Sequence, residues 1–211
     1  MSVTAITNID PMTVTVNGKV EVMGRWQPDS RWRLQEAALA LYSERGFDQT
    51  TAAQIAARAG LTERTFFRHF ADKREVLFGA SSLLQERIVA GVAGAPLTDG
   101  PLDAVARGLD AAAAMLGEAR RDLTNQRLAV IAANPDLRER ELTKLADYAA
   151  AVAESLRQRG VGEPQATFAA ELGMTVLGVA LRLWASGEDD GDLTAIMRDS
   201  VAELRTVATT D

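Results

Sequence analysis

The sequence predicts an all-α protein. After Gln27-Pro28, apolar residues recur at steps of three and four nearly to the end of the chain. Capping residues and Gly or Pro stops punctuate that pattern at helix-length intervals. No alternating, strand-like segment follows residue 23. At 211 residues, 47% hydrophobic and 25% charged, the chain suits one sizeable soluble domain or two small ones.

Residues 1–27 are expected to form a flexible arm or a weak hairpin. TVTVNGKVEV (Thr13 to Val22) alternates around Asn17-Gly18, a type I′ turn signal. A lone two-stranded hairpin is marginal in water. Met12 and Met23 offer alternative starts, which would make the preceding residues a leader.

Asp29 or Ser30 caps a first helix to about Arg45, with Leu34, Ala37, Ala38, Leu41 and Tyr42 inward and Gly46 as the stop. Thr50-Thr51 opens a short second helix that ends at Ala59-Gly60, and Thr62 caps a third. Asp72, with Glu75 three residues later, reads as the capping box of a fourth helix carrying Leu77, Leu84 and Ile88. Gly91, Gly94 and Pro96 end it.

Pro101 starts a fifth helix to Gly117, and a sixth covers 120–133. A seventh follows Asn134-Pro135 to Arg159, an eighth runs from Pro164 to Ser186, and a ninth follows GEDDGD from Leu193 to about Val207. About nine helices are expected.

The chain has no cysteine, which excludes disulfide and thiolate chemistry. No continuous apolar run reaches the roughly 18 residues of a membrane span, and no secretory signal opens the sequence. A cytoplasmic protein without a membrane partner is expected. The net charge of −6 is unevenly spread. Residues 24–75 hold nine Lys or Arg against seven Asp or Glu, and residues 76–211 hold 13 against 20.

The basic front contains GLTERTFFRHF, residues 60–70. Phe66 and Phe70 share a helical face and can pack with Leu61, Ile55, Ala59, Leu41 and Tyr42. Phe67 lies about 100° from Phe66, beside Glu63, Arg64 and Arg68, and is expected to be displayed. A short helix, a Gly-containing turn and a second short cationic helix have helix-turn-helix spacing. Arginine can take guanine O6 and N7, and an apolar group can touch the thymine methyl. An ordinary helical hairpin with solvated arginines has the same spacing.

Arg33 to Ala80 resembles the DNA-binding domain of TetR-family transcriptional regulators, through AALALYSERGF, the following Thr-Thr, QIAARAGLTERTFFRHF and ADKREVL. The resemblance implies a DNA-reading domain (28–75), a helical ligand-sensing and dimerisation domain (76–211) and a homodimer on a double-stranded operator. It implies phosphate contact by Thr51, base and phosphate contacts by Thr62, Glu63, Arg64 and Thr65, and an aromatic contact by Phe67. It also places His69 and Lys73 near phosphate, and Arg68, on the same displayed face as Phe67, is a further candidate for DNA contact.

Three residues depart from the family pattern. Phe67 lacks a tyrosine hydroxyl. Ala53 replaces a longer side chain that often reaches DNA. Gln35 replaces a leucine, which loosens packing or marks an exposed face.

His69, the single histidine, has no Cys partner and no signalled nucleophile. No enzyme activity, catalytic residue, metal or cofactor is expected.

The eighth helix is apolar nearly all round. Phe168, Leu172, Val176, Val179 and Leu183 form one stripe, and Met174, Leu177, Leu181 and Trp184 another. With Ile196, Met197, Val201 and Leu204 of the ninth helix, the first stripe is a candidate dimer interface. The eighth helix could also be the central helix of a monomer core. Leu84, Met115, Leu116, Leu128, Ile131, Tyr148 and Trp184 are candidate walls of a pocket for a largely apolar effector. The expected function is a ligand-responsive repressor. The alternative is a dimeric interaction module whose helix-turn-helix no longer reads DNA.

Overall fold

A computed structural model describes residues 14–16, 19–21, 30–117, 120–187 and 191–209. Val14–Val16 (β1) and Lys19–Glu21 (β2) pair antiparallel, Val14 opposite Glu21 and Val16 opposite Lys19. Their alternation anticipates the strands; Asn17-Gly18 and Asp29 lie outside the described residues.

The remaining described residues are helical and connecting. Ser30–Arg45 (α1), Ala52–Arg58 (α2) and Glu63–His69 (α3) come first, then a 3₁₀ turn, Glu75–Phe78. Ser81–Ala93 (α4), Pro101–Leu116 (α5), Arg121–Ala133 (α6), Pro135–Gln158 (α7), Gln165–Ser186 (α8) and Leu193–Thr209 (α9) follow.

The fourth helix differs from expectation. Asp72 Oδ1 accepts from the amides of Arg74 (2.7 Å) and Glu75 (3.1 Å), but what it opens is the 3₁₀ turn. The Glu75 carboxylate, needed for the return half of a capping box, is held by Arg140 of α7 at 2.6 Å. The Leu77 carbonyl accepts from Arg127 Nε (2.9 Å) and the Val76 carbonyl from Gln35 Nε2 (3.2 Å). Tertiary donors thus take carbonyls that a continuous helix would bond four residues on, and α4 starts only at Ser81.

Two apolar clusters result. One joins α1, α2, α3 and the 3₁₀ turn through Leu34, Leu41, Tyr42, Ile55, Phe66 and Phe78, and extends to Ile131 and Leu137 at the α6–α7 corner. The other is built from α4, α5, α7, α8 and α9 around Ile88, Leu109, Val152, Leu156, Leu177 and Trp184. Glycine permits the tightest crossings. A Cβ on Gly91 would stand 2.7 Å from the Gly108 Cα, and one on Gly173 would overlap Val105.

By length and composition Glu75–Ala93 and α8 could each cross a bilayer, although neither is a continuous apolar run. For α8, its place against α5, α6, α7 and α9 accounts for that apolarity.

Candidate functional site

Local chemistry fixes the helix-turn-helix. Thr51 Oγ1 accepts from the Gln54 amide (3.2 Å) while Gln54 Oε1 accepts from the Thr51 amide (2.9 Å), a reciprocal capping box. Thr50 is no cap. It is buried, and its hydroxyl donates to the Gly46 carbonyl at 2.9 Å. Helix α2 closes at Gly60, φ +65°, a left-handed conformation that glycine adopts without steric cost. The Leu61 amide donates back to Ala56 at 2.8 Å, and Thr62 then caps α3 by accepting from the Thr65 amide at 3.2 Å.

Helix α3 is pinned by one phenylalanine and displays the next. Phe66 is wholly buried, 5.8 Å from the Phe70 ring, whereas Phe67 is 53% exposed and edge-on to Phe66 at 5.3 Å. Thr51, Thr62, Glu63, Arg64 and Arg68 are exposed and Thr65 is half-buried. Neither Arg64 nor Arg68 has an ion pair or hydrogen bond to a described residue. His69 is half-buried, with Nε2 2.9 Å from Ser30 Oγ of α1.

Lys73 has a role in the fold that its sequence position did not signal. Its Nζ donates to the carbonyls of Phe47 (2.8 Å), Thr50 (3.0 Å) and Asp48 (3.4 Å). An ammonium has three donors, and in this structure all three of Lys73 are directed at carbonyls of the α1–α2 loop, as a staple. Tyr42 adds to this staple, its hydroxyl donating to the Lys73 carbonyl at 2.5 Å. Burial pushes the Tyr42 phenol well above its usual range, with a further contribution from nearby Asp72. Gln35 is also explained: its bond to Val76 ties α1 to the 3₁₀ turn, so it neither loosens packing nor marks a bare face.

Where the two clusters meet lies a cavity of about 180 Å³. Of the expected wall residues, Leu84, Met115, Leu116 and Tyr148 line it. Leu128, Ile131 and Trp184 do not. Ile131 is buried with the α1–α3 cluster, Trp184 is buried inside the other, and Leu128 is half-buried elsewhere on α6. The cavity also has walls from α1, including Trp32 and Leu39, and five charged residues, Glu36, Arg120, Arg127, Glu141 and Lys144. Those charges come from α1, α7 and α6 with its N-cap residue, and converge only in the folded chain.

The pattern of the tetR family of bacterial regulatory proteins matches residues 34–80. That of the MftR C-terminal domain matches residues 99–209, more than half of the chain. The chain belongs to the TetR family of transcriptional regulators. TcmR of Streptomyces glaucescens is 37% identical over 91 residues, 43% of this chain. The chain spans only 39% of TcmR. MftR of Mycobacterium tuberculosis is 26% identical over 165 residues, 75% of this chain and 80% of that one. Among solved structures, Bacillus subtilis FadR in complex with stearoyl-CoA has a TM-score of 0.56 at 18% identity, covering 82% of this chain and 96% of its own. The SmeT–triclosan complex has 0.55 at 20%, covering 82% and 90%. Both likenesses concern the fold.

A TetR-family regulator is not an enzyme, and its helix-turn-helix binds DNA. In this TetR-family chain the apolar residues of α8 and α9 divide sharply. Phe168, Leu172, Val179 and Leu183 are exposed, Phe168 at 62%. Val176, Ile196, Met197 and Val201, expected at an interface, are instead buried in the chain's own core, and Leu204 is half-buried against it. Helix α9 lies between α5 and α8, which spends its apolar face internally.

Proposed function

We propose that this regulator is a homodimeric repressor of a near-palindromic operator, released by a small, largely apolar effector. The observation that carries the reading is the split between Phe66 and Phe67. Burial of one fixes α3, and the other stands with Arg64 and Arg68 toward solvent. Thr51 at the start of α2 and Thr62 to Thr65 at the start of α3 supply phosphate and base contacts, with His69 beside α1.

The exposed α8 stripe supports dimerisation. Phe168, Leu172, Val179 and Leu183 recur at helical spacing on one face, and α9 backs α8 from within. A two-fold axis through that face presents two copies of α3 to half-sites about one helical turn apart or further. The cavity supports an effector role because α1 of the reader forms part of its wall. The triclosan of the SmeT structure is consistent with a small, largely apolar ligand. An effector releases DNA only by binding the released geometry more tightly than the bound one.

The test is selection of fragments from genomic DNA by the purified protein. A shared near-palindrome among the retained fragments is expected. Retention without any common sequence would contradict the reading.

A further inference from the structure

We propose that the cavity takes a small apolar monocarboxylate, whose carboxylate sits on the Arg127 guanidinium. The inference rests on reading this cavity as the effector site and names the ligand's chemistry.

Size comes first. About 180 Å³ is below the roughly 300–1,000 Å³ of pockets for drug-sized ligands. A compact aromatic or branched aliphatic body fits beside Leu84, Leu116 and Leu181.

Charge comes second. The lining holds three cations, Arg120, Arg127 and Lys144, against two anions, Glu36 and Glu141, a surplus of one positive charge. Glu36 is exposed, and the Arg120 guanidinium lies over the Trp32 ring at 4.9 Å. Arg127 and Glu141 face each other more deeply, each side chain 28% exposed. An occupant with one negative charge would balance the lining.

Geometry comes third. Arg127 Nε donates to the Leu77 carbonyl at 2.9 Å, and Nη1 reaches Glu141 through one 3.3 Å contact. Carboxylate–guanidinium pairs prefer two parallel bonds of about 2.7–2.9 Å. Nη2 makes no hydrogen bond to a described residue. Among the described residues no fully enclosed polar side-chain atom lacks a partner, so this edge is not sealed off, and Arg127 is one of the residues lining the cavity. Burial pulls the guanidinium below the usual arginine range, opposed by nearby Glu141.

A bound carboxylate would compete with Glu141 and the Leu77 carbonyl for one guanidinium. Leu77 belongs to the 3₁₀ turn between reader and body. Drawing Arg127 from it would loosen the tie that sets the reader's position.

The experiment uses benzoate, phenylacetate and 4-methylpentanoate against benzamide, phenylacetamide and 4-methylpentanamide. Full-length protein is followed by thermal shift and titration calorimetry at millimolar probe. At least one acid is expected to bind, with its amide weaker by roughly tenfold or more, as for loss of a charge-assisted hydrogen bond. Arg127→Gln should erase the difference. Glu141→Gln removes the competitor and should tighten the acid several-fold, which keeps the test decisive if Arg127→Gln fails to fold. Binding of no acid, equal binding of acid and amide, or weaker acid binding by Glu141→Gln would overturn the proposal. Fragment retention by the ligand-free protein is measured alongside. Failure there counts against the repressor reading, whereas retention without acid preference counts against this proposal alone.

Discussion

The Lys73 ammonium lies 4.3 Å from the centre of the Phe47 ring and donates to the Phe47 carbonyl at 2.8 Å. With the carbonyls of Asp48 and Thr50 it forms a staple under the α1–α2 loop, just before Thr51 begins α2. The loop, and through it the start of the helix-turn-helix, is held by a residue for which the family resemblance implies a place near phosphate.

Lys73→Met should therefore cost stability, about 1.5–3 kcal/mol for hydrogen bonds to a charged donor. Urea denaturation measures it. Unchanged stability together with a DNA-binding salt slope reduced by about one would return Lys73 to phosphate contact.

Phe66→Ala and Phe67→Ala should have opposite phenotypes. Removing wholly buried Phe66 should destabilise by about 3–5 kcal/mol. Removing Phe67 should change stability by no more than about 0.5 kcal/mol and weaken operator binding. Denaturation and fragment binding on both variants separate the roles.

Leu172→Glu with Val179→Glu places charge on the exposed α8 stripe without entering the core. Analytical ultracentrifugation should find the variant monomeric and folded where the parent is a dimer. A dimeric variant would move the interface elsewhere.

Acid stability should report Asp72. Partial burial acts to raise its carboxyl, but the Arg74 guanidinium and the amides of Glu75 and Arg74 outweigh it and hold the group below the usual range. A depressed carboxyl adds stability above its unfolded value of about 3.9. That stability is lost as pH falls through the lower folded value. The thermal midpoint of wild type should fall below about pH 4, and that of Asp72→Asn should fall less. Parallel curves would remove Asp72 from the acid limb.

Much of this was legible because local signals and packing agree. Thr51, Gly60 and Thr62 punctuate the chain where α2 and α3 begin and end, and Phe66 and Phe70 share one face. The missed features depend on distant partners. Glu75 reads as half of a capping box until Arg140, 65 residues away, takes its carboxylate. Val176, Ile196 and Met197 carry apolarity that fits an interface or a core equally well, and only the position of α9 beside α5 decides. Arg127 carried no sequence signal, because its role comes from Leu77, Phe78 and Glu141 converging on it.

The central claim, that the outward face of α3 reads sequence, is tested most directly by fluorescence anisotropy on a selected fragment and a scrambled one. Wild type and Arg64→Ala are compared across a salt series. Wild type should prefer the selected fragment at every salt. Arg64→Ala should lose about 1–3 kcal/mol of that preference while its affinity for scrambled DNA changes little. Equal losses on both fragments, or none on either, would contradict the account.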